Sequence, residues 1–134
     1  MRRSPRWHAA WGLLCLTVIA MTAQAGTISF QSVTLGGTQI GLCEPLTVSF
    51  GLSKTYSNPY DPDTIDARFE FTGPSGVTRT IPAYWTDQSP AWRARIVPLE
   101  AGPHTGRIVV SDSAGDSGSH AVSFSAVASS NPGF

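Results

Sequence analysis

Cysteine is scarce in this sequence, which has only Cys15 and Cys43. Cys15 lies in an apolar N-terminal stretch, so the rest of the chain has one thiol and no internal disulfide. Its stability must therefore come from its core. We expect Cys43 to be a small buried hydrophobic residue, because nothing in the sequence places a histidine near it to make it a catalytic thiol.

Basic residues are also few. Beyond residue 25 the chain has six basic and nine acidic side chains, a net charge of −3. A nucleic-acid-binding domain needs a basic surface. This charge balance therefore argues against a nucleic-acid partner.

The histidines and cysteines of the sequence have no spacing typical of a catalytic or metal centre. His104 and His120 lie far from each other and from cysteine, and we expect surface or half-buried positions at strand starts for both. The segment "GDSGS" (115–119) is similar in sequence to the segment that carries the nucleophile of trypsin-like serine proteases. The chain is too short for the double barrel that this chemistry needs, and Asp, Ser and Gly are ordinary hairpin residues. We expect a turn there, no catalytic residue and no cofactor.

Two carboxylates are close together in the loop sequence "DPDTID". Asp61 and Asp63 are predicted to lie in a turn. Clustered carboxylates also attract hard cations, which makes them a weak calcium candidate. Their spacing matches no EF-hand loop, and no other metal site is predicted.

The N-terminus has the pattern of a targeting segment. Residues 1–10 carry three arginines and no acid, and the apolar run "WGLLCLTVIAM" and the sequence "TAQA" follow. This order is typical of a secretory signal peptide, with cleavage after Ala25. A short membrane anchor is the alternative, although the run is shorter than the ~20 apolar residues of a membrane span. We expect residues 1–25 to be a signal peptide, the protein to be secreted or periplasmic, and no membrane contact after cleavage.

Period-two alternation runs through the rest of the chain. In "LTVSFGL" (46–52) apolar residues alternate with small polar ones, and "TIDARFEFTG" (64–73) repeats the pattern. The same alternation in "AWRARIVPL" (91–99) places Trp92 in the core. The other predicted strands are "TISFQSV", "VTRTIPAYW", "TGRIVVSD" and "HAVSFSAV". Seven strands separated by Gly, Pro, Asn and Asp turns predict an all-β, immunoglobulin-like antiparallel sandwich over residues 26–128.

Three aromatic residues remain outside the predicted core. Tyr60 lies in a loop, and Tyr84 and Trp85 lie at a strand end. Aromatic side chains at a surface stack on sugar rings or pack at protein interfaces. We therefore select Tyr60, Tyr84 and Trp85 as candidate contacts with a sugar or with another domain.

Two longer segments resemble a known family when they are taken together. They are "YSNPYDPDTIDARFEFTGPSG" (56–76) and "IPAYWTDQSPAWRARIVPLEAGPH" (81–104), followed by "SNPGF" (130–134). Their order is similar to that of the small N-terminal β-sandwich found on many bacterial glycoside hydrolases, the domain of unknown function DUF5060. The segment "SNPGF" resembles the linker that leads into the catalytic barrel in that family. Residues 129–134 are therefore interpreted as a linker stub towards a catalytic domain outside this chain.

The resemblance implies an accessory role. In such proteins the sandwich packs beside a (β/α)₈ barrel that hydrolyses polysaccharide, and the catalytic acid and nucleophile belong to the barrel. The expected function is a non-catalytic module of a secreted glycoside hydrolase, with the barrel or a polysaccharide as partner. The alternatives are a stand-alone secreted carbohydrate-binding module and an exported structural or adhesive domain that binds through a sheet edge.

Overall fold

The computed structural model of the protein describes residues 26–129. The predicted signal peptide, and all of the predicted linker except Ser129, lie outside these residues. The strands are β1 (Phe30–Leu35), β2 (Gln39–Gly41), β3 (Leu46–Leu52), β4 (Ile65–Thr72), β5 (Thr78–Pro82), β6 (Tyr84–Trp85), β7 (Trp92–Ile96), β8 (Gly102–Asp112) and β9 (Ser117–Val127). Residues 26–129 contain no helix long and apolar enough to cross a membrane.

The strands form two sheets that pack face to face. One sheet has the order β1-β3-β7-β6 and the other the order β2-β9-β8-β4-β5. Every neighbouring pair is antiparallel except β2 and β9, which are parallel. The predicted all-β sandwich is confirmed.

The core lies between the two sheets and is built by alternation along the central strands. In β3 and β4 every second residue is buried, since successive side chains of a strand point to opposite faces. The two sheets bury a continuous apolar cluster, whose largest members are Phe50, Phe69, Phe71, Trp92 and Phe124. Trp92, predicted to lie in the core, is 4% exposed.

The segment predicted as one strand, "VTRTIPAYW", is two strands in different sheets. β5 pairs with β4, whereas β6 pairs with β7. The chain crosses between the sheets at Ala83, directly after Pro82, which has no N–H to continue the ladder. β5 and β6 are edge strands of their sheets, and the crossing places them at the same edge of the sandwich, which we call the β5–β6 edge. β2 was not predicted because three residues are too few to show a period.

The prediction for Cys43 is wrong. Cys43 is exposed, in the turn between β2 and β3, and its φ of 63° lies in the left-handed region. Its N–H donates to the carbonyl of Pro98 at 3.0 Å. β2 ends at Gly41, so its alternation of inward and outward side chains does not extend to Cys43. The Cys43 side chain therefore lies outside the core.

The prediction for His104 is also wrong, whereas His120 is at the surface. His104 is only 2% exposed, because β8 begins at Gly102 and its alternation turns residue 104 inward. The His104 ring stacks on Phe124 with centroids 4.8 Å apart, and Nδ1 lies 3.0 Å from the carbonyl oxygen of Gly102. His104 is therefore a core residue of the five-stranded sheet.

Candidate functional site

Two of the three candidate aromatic residues come together at the β5–β6 edge of the sandwich. Trp85 lies on β6 opposite Trp92 of β7 and packs partly against the core. Tyr60 lies in the loop between β3 and β4 and is 71% exposed. The Tyr60 and Trp85 rings meet almost at a right angle, with centroids 5.4 Å apart. Edge-to-face aromatic pairs of this kind are favourable beyond their buried area.

Around this pair lies a hollow of about 220 Å³, which we call the aromatic hollow. It is lined by Pro59, Tyr60, Pro62, Pro82, Tyr84 and Trp85, together with β4 residues and Trp92. Prolines and aromatic rings lose little conformational entropy when a partner covers them. The hollow is therefore a preformed, largely apolar contact surface.

Tyr84 also borders the outer face of the four-stranded sheet. It pairs with Arg93 across the β6–β7 ladder and is 47% exposed. The structure thus joins all three candidate residues around one hollow, although only Tyr60 and Trp85 share a ring contact.

A second hollow, of about 340 Å³, shares Trp85 with the first, and we call it the polar groove. One wall is the loop between β6 and β7, residues 86–91, and another is the segment after β3, residues 54–56. Gln31, Ser32 and Gly51 of the four-stranded sheet also line it. The groove combines an aromatic ring with amide and hydroxyl groups, which is the mixture that small polar ligands require.

The segment after β3 is held in place by an ion-pair network that sequence reasoning missed. Lys54 Nζ lies 2.6 Å from both Asp112 Oδ2 and Asp116 Oδ2. The Tyr56 hydroxyl donates to Asp112 Oδ2 at 3.0 Å. Lys54 is the only lysine of the sequence, and Asp112 belongs to the turn segment "SDSAGDSG". These are the two features of the sequence that could have pointed to the ion pair, but neither indicates that the two segments are in contact.

The network shifts the pKa values of its members in directions that its geometry explains. Hydrogen bonds from Lys54 hold the pKa of Asp112 below its usual range, and the same bonds raise the pKa of Lys54. Burial, reinforced by the hydrogen bond to Asp112, raises the pKa of Tyr56 to about 12. At neutral pH the network therefore holds a lysine cation, an ionised Asp112 and a neutral tyrosine.

Asp61 and Asp63, the weak calcium candidate, lie in a hydrogen-bonded turn. Asp61 Oδ1 accepts the N–H of Asp63 at 3.0 Å, and Asp61 Oδ2 accepts the Thr64 hydroxyl at 3.1 Å. Within residues 26–129, no three His, Cys, Asp or Glu side chains are grouped so that they could hold a metal ion. The segment 115–119 lies at the β8–β9 turn, where Gly115 has a φ of +87° and its N–H donates to the carbonyl of Asp112.

Solved structures show the same fold in parts of larger proteins. The chain is similar to a Bacteroides vulgatus protein named as a putative glycoside hydrolase, with 19% identity and a TM-score of 0.56 over 71% of this chain and 17% of that one. It is also similar to the Pseudomonas fluorescens alkylpurine DNA glycosylase AlkC, with 14% identity and a TM-score of 0.51 over 77% of this chain and 31% of that one. At these identities the likeness shows the fold alone. No curated protein sequence matches the chain.

A protein family matches through a continuous part of the sandwich. The match covers residues 43–110, from the turn before β3 to the last part of β8. It includes Tyr60, Tyr84 and Trp85, so the aromatic hollow lies within it. The chain belongs to the family described as the domain of unknown function DUF5060.

Proposed function

We propose that this domain is a non-catalytic accessory module of a secreted glycoside hydrolase, and that it packs against the (β/α)₈ catalytic barrel of the same protein. Two comparisons support the proposal. The chain is a DUF5060 domain. The Bacteroides vulgatus protein, named as a putative glycoside hydrolase, has a similar fold in only 17% of its length, which suits a small module on a larger protein.

The observation that carries the proposal is the exposure of the aromatic hollow. Tyr60 is 71% exposed and Tyr84 is 47% exposed, beside three prolines. Rigid aromatic groups gathered at one place on a surface mark a contact with another molecule or domain. The barrel covers this hollow in the proposed arrangement, and the catalytic residues belong to the barrel.

The test begins with the transcript, read through and beyond the codon for Phe134. The encoded protein and residues 1–134 alone are then compared by hydroxyl-radical footprinting. Tyr60 and Tyr84 should be oxidised readily in the shorter protein and protected in the longer one. His120, exposed on β9, is the internal control and should react equally in both. A transcript without a barrel, or equal oxidation of Tyr60 in the two proteins, contradicts the proposal.

A second candidate function is carbohydrate binding by a stand-alone module. The Tyr60–Trp85 pair favours it, because Tyr60 is exposed beside the half-buried Trp85 and an exposed aromatic ring can stack on a sugar ring. A polysaccharide in the gel should then retard the protein during native electrophoresis, and Trp85→Ala should abolish the retardation. If no member of a broad glycan panel retards the protein, this candidate is excluded.

A further inference from the structure

The strands of the four-stranded sheet carry two arginines and no carboxylate, and the carboxylate of Asp87 in the β6–β7 loop lines the adjoining polar groove. Arg93 and Arg95 alternate with the buried residues of β7, so both point to this face. They are two residues apart, about 6.6 Å along the strand. The four strands of the sheet, β1, β3, β6 and β7, contain no Asp or Glu. Residues 26–134 have a net charge of −3, so this face differs in sign from the domain as a whole.

Three other cations of residues 26–129 are paired with carboxylates, and Arg79 on β5 is not. Arg68 is paired with Asp66 and Arg107 with Glu70, and Lys54 holds two carboxylates. Among residues 26–129, neither Arg93 nor Arg95 forms an ion pair. Their guanidinium groups therefore remain available for an anion from outside the described chain.

Arg93 has an unmet hydrogen-bonding requirement. Its Nε is buried and has no acceptor among the described residues. Its Nη2 donates to Gln88 Oε1 at 3.3 Å, a long bond for a charged donor. A buried donor without an acceptor is unfavourable. A guanidinium that turns outward to an oxyanion meets two acceptors at once, because its N–H groups match the two oxygens of a carboxylate or sulfate.

The polar groove is connected to Arg93 by one hydrogen bond. Gln88, the hydrogen-bond partner of Arg93, lines the groove. Gly51 lies on the same outer face, two residues along β3 from Ser49, which is directly opposite Arg93. Gly51 has no side chain of its own, and the Ser32 hydroxyl oxygen lies 3.2 Å from the position that a Cβ would take there. The groove therefore connects to Arg93 through Gln88, which lines the groove and accepts a hydrogen bond from Arg93.

We propose that the polar groove and the two arginines form a binding site for an acidic glycan, a chain whose sugar units carry carboxylate or sulfate groups. Arg93 and Arg95 pair with the anionic groups, Gln88 contacts hydroxyls, and Trp85 at the edge of the groove offers a ring face to a sugar. The site needs no catalytic barrel. It therefore extends beyond the proposed accessory function, and the failure of one leaves the other untouched.

Equilibrium binding of the protein to three immobilised polysaccharides tests the proposal. Polygalacturonate offers carboxylates, its fully methyl-esterified form has the same backbone without charge, and a carrageenan offers sulfates. We expect binding to polygalacturonate, to the carrageenan or to both, weakened by added salt, and none to the ester. The charged polymer that binds identifies the anionic group. Equal binding to the ester, or no binding to any of the three, overturns the proposal.

Variants then place the site on this face. Arg93→Gln and Arg95→Gln should each weaken binding by about tenfold or more, the effect of losing one charge-assisted contact. Arg79→Gln is the matched control, since Arg79 is exposed on β5 of the other sheet and forms no ion pair within residues 26–129. Gly51→Gln adds a side chain to the lining of the groove without removing charge and should also weaken binding, with circular dichroism confirming the fold. Equal losses in Arg79→Gln and Arg93→Gln would show non-specific attraction and overturn the assignment.

Discussion

Lys54 Nζ lies 2.6 Å from Asp112 Oδ2 and thereby ties the segment after β3 to the turn between β8 and β9. Asp112 has a side-chain exposure of only 2%, and it also accepts the Tyr56 hydroxyl. Its other oxygen accepts the backbone N–H groups of Ala114 and Asp116. One carboxylate therefore fixes the hairpin turn and, through Lys54 and Tyr56, one wall of the polar groove.

Asp112→Asn should destabilise the protein by about 1–3 kcal/mol at pH 7, because the buried acceptor loses its charge while keeping its shape. The folded-state pKa of Asp112 is lowered, so its contribution is present above the unfolded value of about 3.9. It is lost as the pH falls through the folded-state pKa. Urea unfolding at several pH values should therefore show the difference between wild type and variant shrinking in acid.

Asp87→Asn is the matched control for that measurement. Asp87 is exposed in the β6–β7 loop and forms no side-chain hydrogen bond or ion pair with the described residues. Its substitution should change the free energy of unfolding by less than about 0.5 kcal/mol at any pH. A constant difference between Asp112→Asn and wild type from neutral to acid pH would contradict the role given to Asp112.

Tyr56→Phe should remove a feature of the alkaline titration. The pKa of Tyr56 is raised to about 12, above the value of about 10 in an unfolded chain. Its contribution to stability is therefore complete below about pH 10 and is lost as the pH rises towards 12. The near-ultraviolet absorbance of tyrosinate should show a late component in wild type and in Tyr84→Phe. If that component persists in Tyr56→Phe, it belongs to another tyrosine.

Tyr60→Ala should uncover Trp85. The two rings are in contact at 5.4 Å between centroids, and Tyr60 is the more exposed partner. We expect stronger acrylamide quenching of tryptophan fluorescence and a loss of stability of about 0.5–1.5 kcal/mol. Tyr84→Ala is the control, since it removes an exposed aromatic residue that has no described ring contact with Trp85. Equal quenching in the two variants would mean that Tyr60 does not shield the indole.

The inward faces of the central strands could be predicted because each of these strands buries a single face. In β3, β4 and β7 the residues that alternate as apolar in the sequence are the residues that are buried in the structure. The split between β5 and β6 could not be predicted in this way. It depends on where the chain leaves one sheet for the other, and a periodic pattern carries no information about that crossing.

The candidate site was predicted only as residue types. Tyr60, Tyr84 and Trp85 were recognisable as aromatic residues outside the predicted core, but their meeting depends on how loop and sheet edge pack. The Lys54–Asp112 pair joins positions 58 residues apart, so it follows only from the three-dimensional arrangement of the strands. The prediction for His104 fails because the sequence pattern starts the strand at Thr105, three residues after the actual start of β8 at Gly102.

Cys43 should react with a thiol reagent in the folded protein almost as fast as in the unfolded chain, because its side chain is exposed. The protein should first be shown by mass spectrometry to begin at Gly26, so that Cys15 adds no second thiol. Its φ of 63° also predicts a matched pair of variants. Asn tolerates this conformation, whereas Cys43→Val should cost about 1–2 kcal/mol more than Cys43→Asn. Slow labelling would instead indicate that Cys43 is buried, as the sequence predicts.

Gly106→Ala should destabilise the core by about 1–3 kcal/mol, because a methyl group there overpacks it. A Cβ at residue 106 would lie 2.5 Å from Cζ of Phe69 and 3.0 Å from Cγ2 of Val122. Gly37→Ala is the control, since its Cβ would approach nothing closer than the Gln39 carbonyl oxygen at 3.4 Å. Urea unfolding of a double-mutant cycle identifies the cause. Gly106→Ala should cost less in a Phe69→Leu background, where the crowding ring is gone, and an equal cost in both backgrounds would mean that the ring is not the obstacle.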